Sequence, residues 1–163
     1  MSEQTSLKIE PRIVSRNAFR VAGLRYEGKN QNREIPTMWD VFLPRMSELQ
    51  TTALQDFKCY GVARALSNTP PDQGFEYLAC MEVPSLDSLP QGMVGWEIPA
   101  LTYAVLPAND VAGIGPTCDY FYGQWLPQST EYAEDDHGFM FEEYPPEYPT
   151  NPTIYLHFPV QHK

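Results

Sequence analysis

One order of elements occurs twice in this chain, and that repetition constrains the fold more than any other feature. Residues 9–26 are rich in β-branched and aromatic side chains and end against Gly28, so they read as one long, bent strand. A polar loop, Lys29 to Arg33, leads into residues 35–49. There Trp39, Phe42, Leu43, Met46 and Leu49 recur at intervals of three and four and mark one apolar helix face. Pro44 lies inside that pattern and should kink or restart the helix, because it lacks the N–H that the helix ladder uses. Residues 60–66 and 75–83 follow as strands, separated by a turn-forming run from Asn68 to Gly74. In the second of these strands Phe75, Tyr77, Ala79, Met81 and Val83 share one side. Glu76, Leu78, Cys80 and Glu82 share the other.

The order then starts again. After a loop at 84–92, residues 93–106 are strand-like and broken by Pro99. Asn109 and Asp110 suit the cap of a helix over 111–126, whose start is blurred by Gly113, Gly115 and Pro116. Residues 139–144 and 154–160 read as strands. The strings Phe42-Leu43-Pro44 and Trp125-Leu126-Pro127 fall at similar places in the two halves. The expected fold is therefore α+β: a duplicated β-α-β-β repeat forming an antiparallel sheet, with helices on one face and a ligand cleft between the repeats. The expected boundaries are a single domain over 9–161, with repeat 1 at 9–84 and repeat 2 at 92–161. Residues 1–8 are expected to be a flexible N-terminus.

Charge narrows the partners. With 11 Lys and Arg against 21 Asp and Glu, the net charge is −10. Such a chain repels phosphate backbones, so direct nucleic-acid binding is not expected. An acidic surface also concentrates cations around it. The cysteines, Cys59, Cys80 and Cys118, are odd in number with no close pair, which suits free thiols in a reducing cytoplasm. No run approaches the ~18 apolar residues of a membrane span, and the first residues do not read as a signal peptide.

Enzyme signatures are sparse: the chain has no Gly-rich phosphate loop, no HExxH and no Gly-x-Ser-x-Gly. His137, His157 and His162 show no ligand spacing, so no metal is expected, and each reads as a surface or strand-edge residue. The acidic tract from Glu131 to Glu147 reads mostly as a solvated face. Glu142 stands apart. On the strand at 139–144 it shares a side with Met140 and Tyr144, while Phe139, Phe141 and Glu143 face the other way. A carboxylate so placed lies either at a sheet edge or in a pocket. The chain also holds ten Tyr, eight Phe and three Trp, which fit either an aromatic β core or an aromatic-lined pocket.

Taken in order, several strings resemble one family. Ile35-Pro36-Thr37-Met38-Trp39-Asp40, Tyr60-Gly61-Val62 and Phe75-Glu76-Tyr77-Leu78-Ala79 resemble the first half of GyrI-like domains, the effector-binding domains of AraC-type regulators. Ile98-Pro99-Ala100, Tyr103-Ala104-Val105, Trp125-Leu126-Pro127, Phe141-Glu142-Glu143-Tyr144 and Phe158-Pro159-Val160 resemble the second half. The resemblance covers nearly the whole chain and implies the duplicated fold. Multidrug-binding members of that family hold lipophilic cations with a pocket glutamate among aromatics, and the matching position here is Glu142. The last strand departs from the family pattern: where an acid often precedes the terminal Pro-Val, this chain has Ile154-Tyr155-Leu156-His157.

The expected function is a stand-alone module for small organic, cationic molecules. Glu142 would supply charge, and Trp39, Trp96, Tyr103, Tyr120, Met140, Tyr144 and Tyr155 would line the pocket, with no cofactor and no catalytic residue. Regulation of transcription would run through another chain, since residues 1–8 leave no room for a helix-turn-helix module. Two alternatives stay open. One is a hydrolase of cyclopropanoid-type electrophiles, using Glu142 with Tyr103 or Tyr144. The other is a protein-binding inhibitor such as a gyrase modulator.

Overall fold

The computed structural model describes residues 10–49, 58–65, 74–145, 148 and 150–163. The first half comprises β1 (Arg12–Arg16), β2 (Phe19–Gly28), α1 (Glu34–Arg45), β3 (Cys59–Ala65) and β4 (Phe75–Val83). The second comprises β5 (Val94–Ile98), β6 (Leu101–Ala108), α2 (Ile114–Tyr120), α3 (Leu126–Gln128), β7 (Tyr132–Glu134), β8 (Met140–Tyr144) and β9 (Ile154–His162). A wide-turn helical stretch, Phe121–Trp125, joins α2 to α3. The turn-forming run at 68–73 lies outside the described residues. Among the described residues no helix is long and apolar enough to cross a membrane.

The proline and cap signals act as their chemistry requires. Pro44 sits one residue before the end of α1, which then tightens into a single narrower turn at Met46–Glu48. Asp110 accepts a hydrogen bond from the Gly113 N–H at 2.9 Å and caps the turn that opens into α2. The long bent strand is two strands, β1 and β2, parted at Asn17 and Ala18. Pro99 and Ala100 part β5 from β6 in the same way. The acidic tract is not simply a solvated face. It contains β7, which pairs with β9, and Asp135 within it is buried.

All strand pairs are antiparallel, in the order β1-β6-β9-β8-β3-β4-β2-β5, with β7 added beside β9. The order reads the same from either end once halves are matched: β2 with β6, β3 with β8, β4 with β9 and β1 with β5. Each leading strand crosses over. β1 pairs with β6 of the second half, and β5 pairs with β2 of the first. Because β1 and β2 are consecutive yet lie near opposite ends of the order, the sheet must curl until its edges approach.

The curl gives the sheet an inner and an outer face. Inside it, Phe19, Val21, Tyr60, Val62, Leu78, Ile98, Tyr103, Val105 and Phe141 form one core. The outer face carries the helices. α1 lays Phe42 against Ala22, Tyr77, Ala79 and Met81, while the α2 stretch lays Phe121 against Ala104, Leu106, Leu156 and Phe158. Phe121 stacks on Phe158 with ring centroids 4.1 Å apart. Fully burying one such ring contributes about 1.5–3 kcal/mol.

One expected surface residue belongs to the inner core. His157 is only 6% exposed and lies on β9, flanked by β6 and β8. Its ring stacks on Phe141 at 4.3 Å and meets Tyr103 edge-on at 5.9 Å. Burial penalises the imidazolium and holds its pKa down at about 4, against an ordinary 6.5. As pH falls, the unfolded chain therefore takes up this proton first, and stability is lost progressively from pH 6.5 towards about 4. His157→Phe keeps the stacked ring and removes the proton site. Urea melts across that window should show the variant losing less stability than wild type, by up to about 3 kcal/mol.

Candidate functional site

The two halves meet where β3 pairs with β8, and Gly61 lies directly opposite Glu142. Their shared side is the helix-bearing face, because the neighbouring pair, Val62 and Phe141, points into the inner core. Glu142 thus stands at the seam between the cluster under α1 and the cluster under α2. It is 9% exposed.

Two phenols hold it. Tyr77 of β4 and Tyr144 of β8 each donate to the same oxygen, Oε1, at 2.8 Å. Trp39 of α1 donates its Nε1–H to the Tyr77 oxygen at 3.0 Å, so the chain of donors runs from helix to strand to carboxylate. The Trp39 and Tyr144 rings lie 5.2 Å apart, and Tyr148 meets Tyr144 edge-on at the same distance. Met140 lies two residues along β8 on the same side and packs into the α2 cluster. Cys118 of α2 closes the other flank: burial, and then the nearby Glu142 charge, push its thiol up to about 12.

A glycine makes the arrangement possible. A Cβ at position 61 would collide with the Tyr77 hydroxyl and ring and with Glu142 Oε1. Only a bare backbone there lets the phenol lie across β3 and reach the carboxylate.

The electrostatics are unbalanced. Among the described residues Glu142 makes no ion pair, and no residue donates to its second oxygen, Oε2. Burial raises its pKa above the usual carboxylate range, and the two phenol hydrogen bonds only partly offset this. The same burial, reinforced by the Glu142 charge, lifts Tyr77 and Tyr144 far above an ordinary phenol.

Of the other residues expected around Glu142, Tyr103, Tyr155 and Trp96 are placed apart from this group. Tyr103 is fully buried in the inner core, with its hydroxyl directed to the Pro99 carbonyl at 3.4 Å. Tyr155 packs against that same core. Trp96, on β5, is covered by the Arg64 guanidinium at 4.2 Å from its ring centroid, and Arg64 is in turn paired with Glu76 at 2.8 Å. Tyr120 packs against the same α2 cluster as Met140 and Tyr144, and it also lines a surface groove of about 570 Å³ together with Glu10, Ile13, Trp125, Glu131 and Tyr132. Tyr77 was missing from the expected group. Its signal was its side of β4, shared with Ala79 and Met81, but only the register brings it across Gly61 to Glu142.

Residues 12–160 match the family model described as "Cass2: Integron-associated effector binding protein". The chain is 34% identical over 101 residues to the transcriptional regulator BrlR of Pseudomonas aeruginosa; this stretch is 62% of the chain and 36% of BrlR. The chain thus aligns with about a third of that relative's length. Solved structures share the fold, among them the following two. The integron cassette protein VCH_CASS2 from the mobile metagenome of Vibrio cholerae has a TM-score of 0.60 at 15% identity, covering 93% of this chain and 96% of that one. SAV2435, solved bound to tetraphenylphosphonium, has a TM-score of 0.71 at 12% identity, covering 94% of each chain.

The Gly61 contact yields a double-mutant test. Gly61→Ala should destabilise the fold by about 1–3 kcal/mol through forced displacement of Tyr77 and Glu142. In a Tyr77→Phe background the nearest clashing atom is gone, so the same substitution should cost measurably less. Denaturant melts of the four proteins should give a coupling of at least about 0.5 kcal/mol; strict additivity would place Gly61 outside this contact.

Proposed function

This chain belongs to the Cass2 family of integron-associated effector binding proteins, and on that premise we propose that it binds lipophilic organic cations at the seam between its halves, with Glu142 as the counter-charge. The observation that carries the proposal is the unmatched state of that carboxylate. A buried charge is costly unless it is paired, and among the described residues the protein supplies phenols but no cation. A bound cation removes that cost. Trp39 and Tyr144 add ring faces, each worth about 0.5–2 kcal/mol towards a cation. SAV2435, of the same fold, is solved with such a cation.

Entry requires movement. Because Glu142 is 9% exposed, a ligand reaches it as the side chains between α1 and α2 part. That opening lowers the apparent affinity in proportion to the fraction of open molecules. It also makes the site selective for charge and tolerant of shape.

The Glu142–Tyr144 hydrogen bond gives the hydrolase reading a concrete pair. Both phenols, however, are raised far above their ordinary pKa and direct their O–H groups to Glu142 in hydrogen bonds, so neither is aimed at a leaving group. Binding without turnover is the better match.

Tetraphenylphosphonium, a permanent cation, should bind in roughly the micromolar range, about −8 kcal/mol. Glu142→Gln should weaken it by about 1.5–3 kcal/mol, the worth of an interaction with a charged group. Glu97→Gln, on an exposed β5 position, should leave it unchanged. Apo stability of Glu142→Gln should hold or rise. Titration calorimetry showing equal affinity for wild type and Glu142→Gln would remove Glu142 from the site.

The pH dependence has a defined sign. Glu142 is raised in the folded apo protein, so below its pKa it is neutral and offers the cation nothing. Affinity for tetraphenylphosphonium should therefore climb as pH rises through that raised value and then level off, with proton release on binding in the climbing region. In Glu142→Gln the profile should be flat across the same range. The linked apo effect has the opposite slope: the folded carboxyl binds its proton more tightly than the unfolded one, so Glu142's contribution to stability falls as pH rises through that window.

A further inference from the structure

Glu142 uses its two oxygens unequally. Tyr77 and Tyr144 both donate to Oε1 at 2.8 Å, and no described residue donates to Oε2, although the side chain is nine-tenths buried. Charge alone does not satisfy such an oxygen. A buried acceptor left without a donor forfeits its hydrogen bonds to water and regains them only from a donor placed against it. Oε1 is close to saturated, because a carboxylate oxygen has two good acceptor directions and both are taken by phenols.

We propose that the preferred ligands of this site are protonated amines that carry an N–H, which they donate to Oε2, rather than quaternary ammonium or phosphonium ions. The inference rests on the cation-binding reading above and narrows it. A protonated tertiary or secondary amine supplies both the charge and the missing donor in one short, charge-assisted hydrogen bond. A quaternary ion supplies the charge alone and holds its methyl or aryl groups between the charge and the oxygen. Trp39 and Tyr144, 5.2 Å apart, flank the carboxylate and favour the apolar arms of either ligand about equally.

General effects predict the reverse order, which makes the test sharp. An added N-methyl group enlarges the apolar surface and removes an N–H that is well hydrated in water, so burial without a specific acceptor favours the quaternary ion. The matched probes are a diphenylalkyl dimethylammonium ion and its trimethylammonium counterpart, titrated by calorimetry into wild type and Glu142→Gln at neutral pH. Wild type should bind the dimethylammonium ion at least about tenfold more tightly. In Glu142→Gln the phenols hold the amide oxygen, and the amide NH₂ takes the place of Oε2. A donor then faces a donor, so the preference should vanish or invert. If wild type binds both probes equally, or the quaternary one more tightly, this inference fails while the cation-binding proposal stands. If the tenfold preference survives in Glu142→Gln, the N–H is read elsewhere and Oε2 is not its acceptor. If neither probe nor tetraphenylphosphonium binds, the cation-binding proposal itself falls.

Discussion

The pairing of β3 with β8 is the constraint on which the rest of the structure depends. It is the junction of the two halves, from Cys59 opposite Tyr144 to Ala63 opposite Met140. Side chains alternate across a strand, so a slip of one residue would carry Glu142 into the inner core and Phe141 out to the helices. The inner core resists that slip. Phe141 meets Phe19, Tyr60 and Tyr103 there at centroid distances between 5.2 and 5.8 Å and stacks on His157. The aromatic packing on one face thereby determines where the carboxylate stands on the other.

The crossed leading strands give that junction its stiffness. β1 closes the second half and β5 closes the first, so neither half completes its sheet without the other. Arg16, at the end of β1, reaches back over the inner core. It lies over Phe19 at 4.1 Å and donates to the Tyr60 hydroxyl at 3.0 Å. The strands beneath the seam at Glu142 are thereby tied to both halves of the sheet.

Much of this was legible in the residues. The β-α-β-β order, the α1 stripe, the Pro44 and Pro99 interruptions, the Asp110 cap and the shared side of Met140, Glu142 and Tyr144 all follow from local periodicity and turn chemistry. What was not legible depends on pairing between distant strands. Alternation places Tyr77 on a face but not opposite Gly61. It places Tyr103 and Tyr155 on apolar strands but not inside the curl, away from Glu142. Trp96 was expected to line the pocket; its ring is covered by Arg64, an interaction across strands that no local pattern announces. His157 read as a strand-edge residue because β9 was not yet known to have strands on both sides.

Neighbouring carboxylates on β8 show what sets the site apart. Glu142 and Glu143 are the same group on the same strand, pointing to opposite faces. Glu143 faces two cations, Arg16 and Lys58 at 3.4 Å each, and the uncharged His157 ring lies at 3.8 Å. Its charge is balanced within the protein, and it helps tie β1, β3 and β9 together. On the helix side, by contrast, the partners of Glu142 among the described residues are Tyr77, Tyr144 and, through Tyr77, Trp39, all donors without charge. Those donors orient Glu142 without neutralising it. A structural acid in a fold with eleven Lys and Arg could have been given one of them, as Glu76 is given both Arg25 and Arg64. An ionised acid that is held in place without a counter-charge lowers the stability of the empty protein, and under the proposed function a bound cation would recover that cost.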